Sequence, residues 1–139
     1  MRIMGLDVGD ATIGVAVSDE LGCMAHGICT IRRKNIDYDI NQLDTIIKDK
    51  QVDKIVIGLP KNMNNTIGDR GRKSIEFGEI LKKHFSNLEI VFWDERLTTV
   101  AAERALLEAD VSRKNRKKVI DKIAATLILQ SYIDAKKNS

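Results

Sequence analysis

The chain has 139 residues, 43% of them hydrophobic and 31% charged, with 9 glycines and a single proline. That is the size and make-up of one domain, 1–139, with a real core, and it excludes a collagenous, linker-rich or disordered polymer. Two cysteines and two histidines stand at no zinc-ligand spacing, no apolar run approaches the ~18 residues of a membrane span, and no signal-peptide pattern precedes the first strand-like segment, so a cytoplasmic, membrane-free protein is expected, with Cys23 and Cys29 as reduced core residues.

The net charge of +3 is unevenly held. Residues 1–112 carry 15 basic and 18 acidic side chains, whereas Arg113, Lys114, Arg116, Lys117, Lys118 and Lys122 surround one acid, Asp121. Such a run is either a solvated helix start or a patch for a phosphate backbone.

In chain order, Arg2 to Val8 and Thr12 to Ser18 are short apolar runs parted by Gly9-Asp10-Ala11, which predicts a tight hairpin. Met24 to Ile31 completes a three-stranded meander. Ile36, Ile40, Leu43, Ile46 and Ile47 recur at helical spacing, predicting a helix over Asp37 to Lys50 with acids early and lysines late. Lys54 to Leu59 is a bare β-branched strand, buried on both faces and stopped by Pro60. Lys61 to Gly71 reads as a polar loop, with Arg70 and Arg72 either in the loop before the next helix, Lys73 to Phe85, or at a solvated start of that helix. Glu89 to Trp93 reads as another buried strand, Thr98 or Thr99 as the N-cap of a helix through Ala109, and the last helix runs from about Arg116 to Lys136. The order β-β-β-α-β-α-β-α-α predicts an α/β fold: a five-stranded mixed sheet, three antiparallel strands plus two parallel ones, flanked by helices. Ligands of such sheets bind beyond the carboxyl ends of the parallel strands.

Three places carry acids that packing does not require. Asp7 shares a strand face with Ile3 and Gly5, opposite a second strand whose Gly14, Ala16 and Ser18 leave room. It is either a cap for the Gly9 turn or a metal ligand or catalytic acid. Asp94 and Glu95 end the last strand and point to opposite faces, so only one can join a shared site, while pairing with Arg96 would account for one acid more easily than two. Asp121 lies on a helix face otherwise made of Ala124, Ala125, Ile128 and Tyr132. Buried there it needs a cationic partner, either Lys117 or Lys118 one turn earlier or a metal. Carboxylates drawn together from the first strand, the last strand and the final helix stay ionised only around cations. Mg²⁺ (or Mn²⁺), with its preference for hard oxygens, suits them, and two such ions clamp an in-line phosphodiester hydrolysis. His26 and His84 offer no competing nucleophile arrangement.

These residues resemble the YqgF family, RNase H-like proteins described as Holliday junction resolvases and as pre-16S rRNA nucleases. The resemblance spans nearly the whole chain: Gly5-Leu6-Asp7-Val8-Gly9 with Ile13-Gly14-Val15-Ala16-Val17-Ser18-Asp19, then Gly58-Leu59-Pro60, then Asp94-Glu95-Arg96-Leu97-Thr98-Thr99, and Asp121-Lys122-Ile123-Ala124-Ala125 leading into Ile128-Leu129-Gln130. It implies an RNase H-like fold and a catalytic, metal-binding triad of Asp7, Glu95 and Asp121, selecting Glu95 over Asp94. It also implies a nucleic-acid substrate, precursor rRNA or branched DNA, held by Arg113, Lys114, Arg116, Lys117 and Lys118; from their place after the Pro60 strand, Arg70 and Arg72 are further candidates for the same contact. Ala11 stands where the family usually has a basic residue, and Asn65 where glycine is commoner. Two rivals come from other classes. An actin-like ATPase or sugar kinase needs two such domains, which 139 residues do not supply. A non-catalytic nucleic-acid-binding module keeps the basic run and needs no metal. A resolvase is expected to be a homodimer, whereas a processing nuclease can be a monomer.

Overall fold

The computed structural model describes residues 2–100 and 116–138, the side chains of 116–119 excepted. Its strands are β1 (Arg2–Val8), β2 (Thr12–Ser18), β3 (Ala25–Arg32), β4 (Val52–Leu59) and β5 (Glu89–Asp94), with helices α1 (Ile36–Lys50), α2 (Asp69–His84) and α3 (Arg116–Lys137) and a 3-10 turn at Glu95–Leu97. The strands form one sheet in the order β3-β2-β1-β4-β5. Antiparallel pairing sets Asp7 opposite Gly14 and Val8 opposite Ile13. Parallel pairing sets Leu6 beside Ile57 and Leu59 beside Asp94. The expected mixed sheet of three antiparallel and two parallel strands is therefore present.

β1 and β4 are apolar on both faces because each face is covered. On one side Met4, Leu6, Ile13, Val15, Ile55 and Ile57 meet Ile40, Leu43 and Ile47 of α1 and Phe77 and Leu81 of α2. On the other, Ala16 and Val56 meet Ala124, Ala125, Ile128, Leu129, Tyr132 and Ile133 of α3. Each fully buried aliphatic side chain contributes about 2 kcal/mol by leaving water.

α3 packs on the second face unusually closely, and the sheet is built for it. A Cβ on Gly14 would fall 2.0 Å from the Asp121 carbonyl oxygen, one on Gly5 2.7 Å from Leu129 Cβ, and one on Gly58 2.5 Å from Ile128 Cδ1. At Gly14 the α3 backbone, and at Gly5 and Gly58 its side chains, thus occupy space that a sheet side chain would need. The glycines of the β1, β2 and β4 motifs form the floor on which α3 rests.

Several sequence expectations need correction. α2 begins at Asp69 instead of Lys73, so Arg70 lies on its first turn and not in a loop, and Arg72 lies inside the helix. Gly68 and Gly71 gave the segment the look of a loop. In the fold Gly68 is the extended N-cap, and Gly71 lies within the helix, where a Cβ would fall 2.7 Å from the Pro60 carbonyl oxygen. Among the described residues β5 is an edge strand, and it is only half-buried. Cys23 and Cys29 are free thiols. Cys29 packs at the margin of the first core, but Cys23 sits in the turn before β3 and is not a core residue. The helix expected through Ala109 has its body at 101–109, outside the described residues, as are Arg113 and Lys114. The Thr98 hydroxyl accepts the Val100 N–H at 3.2 Å, as an N-cap there would.

Candidate active site

Asp7 is 3% exposed. In the turn that follows it, the Gly9 N–H donates to the Thr12 carbonyl at 2.9 Å and closes the hairpin. Arg33, just after β3, holds the same turn from outside. Its Nη1 donates to the Gly9 carbonyl at 2.9 Å, its backbone N–H to the Ala11 carbonyl at 2.9 Å, and its Nε to Oδ2 of the buried Asp39 at 2.9 Å. Lys73 of α2 adds an ion pair to Asp10 at 2.6 Å, and the Asp10 carboxylate beside it raises the ammonium pKa. The hairpin turn that follows Asp7 is thereby held by two side chains, Arg33 and Lys73.

The Asp7 carboxylate meets a cation the sequence reading had assigned to nucleic acid. Arg70 Nη2 donates to Asp7 Oδ1 at 3.0 Å. The second arginine, Arg72, pairs with Asp69 and donates to the Ile67 carbonyl at 3.3 Å.

Asp121 is 6% exposed and is held above Gly14, the residue paired with Asp7 across the strands. Cross-strand partners face the same side of a sheet, so both carboxylates arise from one face at neighbouring points. A donor to Asp121 is the hydroxyl of Thr12, which bonds Oδ2; the side chains of Lys117 and Lys118, one turn earlier, lie outside the described residues. Thr12 was missed because a β-branched residue opening a strand reads as ordinary β propensity.

At the end of β5 the two acids separate as their alternation requires. Asp94 is engaged by Arg96, whose Nε reaches both carboxylate oxygens at 3.1 Å and whose Nη2 reaches Oδ2 at 2.8 Å. That guanidinium holds the Asp94 carboxyl below its ordinary pKa. The same side chain donates to the Asn62 carbonyl at 3.2 Å and to Asn65 Oδ1 at 2.9 Å, clamping the loop after β4. Asn65 has a φ of 72°, the left-handed region that glycine or asparagine tolerates. Asparagine here adds a tie to Arg96 that glycine could not make. Glu95 lies over Gly58 on the α3 side, its Cγ 3.2 Å from where a Cβ would stand. It lines a cleft of 300 Å³ with Pro60, Lys61, Met63, Arg70 and Arg96.

Among the described residues, no three of His, Cys, Asp and Glu are gathered closely enough to hold a metal ion as they stand. The donor chemistry nevertheless suits a hard divalent cation. Asp7 and Asp121 offer buried carboxylate oxygens from one sheet face, and Glu95 offers a third beside them across Gly58. Among the described residues, the Arg70 guanidinium is paired with Asp7.

This sheet order, with acids placed from β1, the end of β5 and α3, defines an α/β fold of the RNase H-like class. Two solved structures share it. One is the Thermus thermophilus RuvC in complex with a Holliday junction substrate, with a TM-score of 0.60 and 11% identity, covering 100% of this chain and 97% of that one. The other is the Fowlpox virus resolvase with Holliday junction DNA, with a TM-score of 0.56 and 13% identity, covering 98% and 99%. At such identities the likeness is one of fold. Closer relatives carry the name "Putative pre-16S rRNA nuclease". One from Clostridioides difficile (strain 630) is 62% identical over 138 residues, 99% of this chain and 97% of its own length. One from Caldanaerobacter subterraneus subsp. tengcongensis is 58% identical over 140 residues, 100% of each chain. The family described as "RuvX: Holliday junction resolvase" matches residues 1–135. The chain belongs to that family.

Proposed function

We propose that this protein is a divalent-metal-dependent nuclease that hydrolyses phosphodiester bonds in the precursor of 16S rRNA, working in the cytoplasm with Mg²⁺ or Mn²⁺. The observation that carries the reading is the pairing of Asp7 with Gly14 directly beneath Asp121, which sets two buried carboxylates on one sheet face. Packing alone would not keep two such acids there, because burying a carboxylate costs several kcal/mol. The rRNA substrate is supported by the names of the relatives.

Asp7, Asp121 and Glu95 are the residues that would hold the metal. A divalent cation bound there supplies charge neutralisation at the scissile phosphate and a water of lowered pKa. Thr12 orients Asp121 by occupying one of its oxygens. Arg70, with Lys61 on the same cleft, binds and orients the phosphate through guanidinium and ammonium donors. Arg113, Lys114, Arg116, Lys117 and Lys118 hold the flanking backbone, and Arg72 is a lesser contact because Asp69 already engages it.

A second reading, resolution of four-way DNA junctions by a homodimer, is favoured by the family description. A cleavage panel of precursor rRNA, four-way junction and single strands with Mg²⁺, Mn²⁺ or EDTA separates the readings. The expected result is metal-dependent cleavage of precursor rRNA, lost with EDTA and reduced at least about a hundredfold by Asp7→Asn, with binding retained. Preferential junction cleavage by a dimer selects the second reading. Binding without cleavage of any substrate overturns both and leaves a non-catalytic module.

A further inference from the structure

The Asp7–Arg70 ion pair is asymmetric. The carboxylate is 4% exposed and fixed by a strand, whereas the arginine side chain is 45% exposed on the first turn of α2. The carboxylate cannot move off; the guanidinium can. Arg70 is also the shared wall of two clefts of about 300 Å³. One is lined with Val8, Gly9, Asp10, Asp69 and Lys73, and the other contains Glu95, Lys61 and Met63. A guanidinium at that wall can turn from Asp7 toward a phosphate in either cleft without moving the helix. Its planar fork suits phosphate oxygens as well as carboxylate oxygens.

We propose that Arg70 is an exchangeable counter-ion: it neutralises Asp7 in the absence of nucleic acid, opposes entry of a divalent cation there, and is drawn off Asp7 by the substrate phosphate. This deepens the nuclease reading and rests on it. Two cations directed at one carboxylate repel each other and compete for its oxygen lone pairs, so the arginine contact and metal occupancy are antagonistic. A phosphodiester that engages Arg70 removes the antagonism. Nucleic acid and metal therefore bind with positive coupling, and the coupling is reciprocal. Free protein holds the metal weakly and assembles its site on substrate, which limits stray hydrolysis.

The test is Mn²⁺ binding to the full chain without nucleic acid, read from the electron paramagnetic resonance signal of free Mn²⁺, for wild type, Arg70→Ala, Arg70→Gln and each combined with Asp7→Asn. Both Arg70 variants are expected to bind Mn²⁺ about tenfold more tightly than wild type, an ordinary size for coupling between two sites. Asp7→Asn should weaken binding in every background. An arginine that served only stability would lower the unfolding midpoint and leave Mn²⁺ affinity where it was. If Asp7→Asn weakens binding but the Arg70 variants match wild type, the counter-ion role is overturned and the metal site stands. If Asp7→Asn changes nothing, the metal site falls and this inference with it. The glutamine variant keeps side-chain length, and far-UV circular dichroism confirms that each protein compared is folded.

Discussion

Thr12 and Asp121 lie 109 positions apart and are hydrogen-bonded, the hydroxyl donating to Oδ2 of the carboxylate. Both are buried, so the bond forms where water competes poorly. Thr12→Val keeps the shape and deletes the donor. It is expected to lower stability by about 1 to 3 kcal/mol, the cost of leaving a buried acceptor short of a partner. Urea unfolding measures it, and Thr12→Ser, which keeps the hydroxyl, should retain most of the wild-type stability. A valine variant as stable as wild type would show that the bond contributes nothing net.

Gly14→Ala asks whether the close approach of α3 is obligatory. The added Cβ would stand 2.0 Å from the Asp121 carbonyl oxygen, and the atom in its way is backbone, which cannot rotate aside. The variant is expected to lose about 3 kcal/mol or more by overpacking. In any fraction that folds, cleavage should fall with the displacement of Asp121. Unchanged thermal unfolding would mean that the helix can ride higher on the sheet at no cost.

The Asp94–Arg96 pair predicts a pH dependence with a definite sign. The guanidinium lowers the Asp94 pKa, so the pair's contribution is present above the unfolded carboxyl value near ~3.9 and is lost as pH falls through the lower folded value. Because the pair is partly solvated, the contribution is under about 1 kcal/mol. Denaturant midpoints of wild type and Asp94→Asn between about pH 2 and 7 should differ at the neutral end and converge at the acid end. A difference that persists at the lowest pH would place its origin outside the ion pair.

Neutralising Lys114, Lys117 and Lys118 together should flatten the dependence of nucleic-acid affinity on salt. Each phosphate contact contributes close to one counterion, so the slope of log K against log salt should shrink by about 2 to 3. Fluorescence anisotropy at several salt concentrations measures this. An unaltered slope would locate the backbone contacts on another surface.

The sheet, its mixed sense and both cores were legible in the sequence, because periods of two and 3.6 residues are local properties that state which side chains share a face. The same local logic marked Asp7 and Asp121, acids on faces otherwise made of Ile3 and Gly5 or of Ala124, Ala125 and Ile128. What each acid touches was not legible. The Asp7–Arg70 pair spans 63 positions and the Thr12–Asp121 bond 109, and both depend on strand register and on how closely two helices dock. Where α2 begins was hidden for a related reason. Gly68 and Gly71 look like loop residues, but Gly68 is the helix N-cap and the Pro60 carbonyl occupies the space a side chain at Gly71 would need. The residue types by themselves determined the elements and the odd acids, while the tertiary structure alone decided the partners, since contacts between distant segments are set by docking geometry that no local pattern encodes.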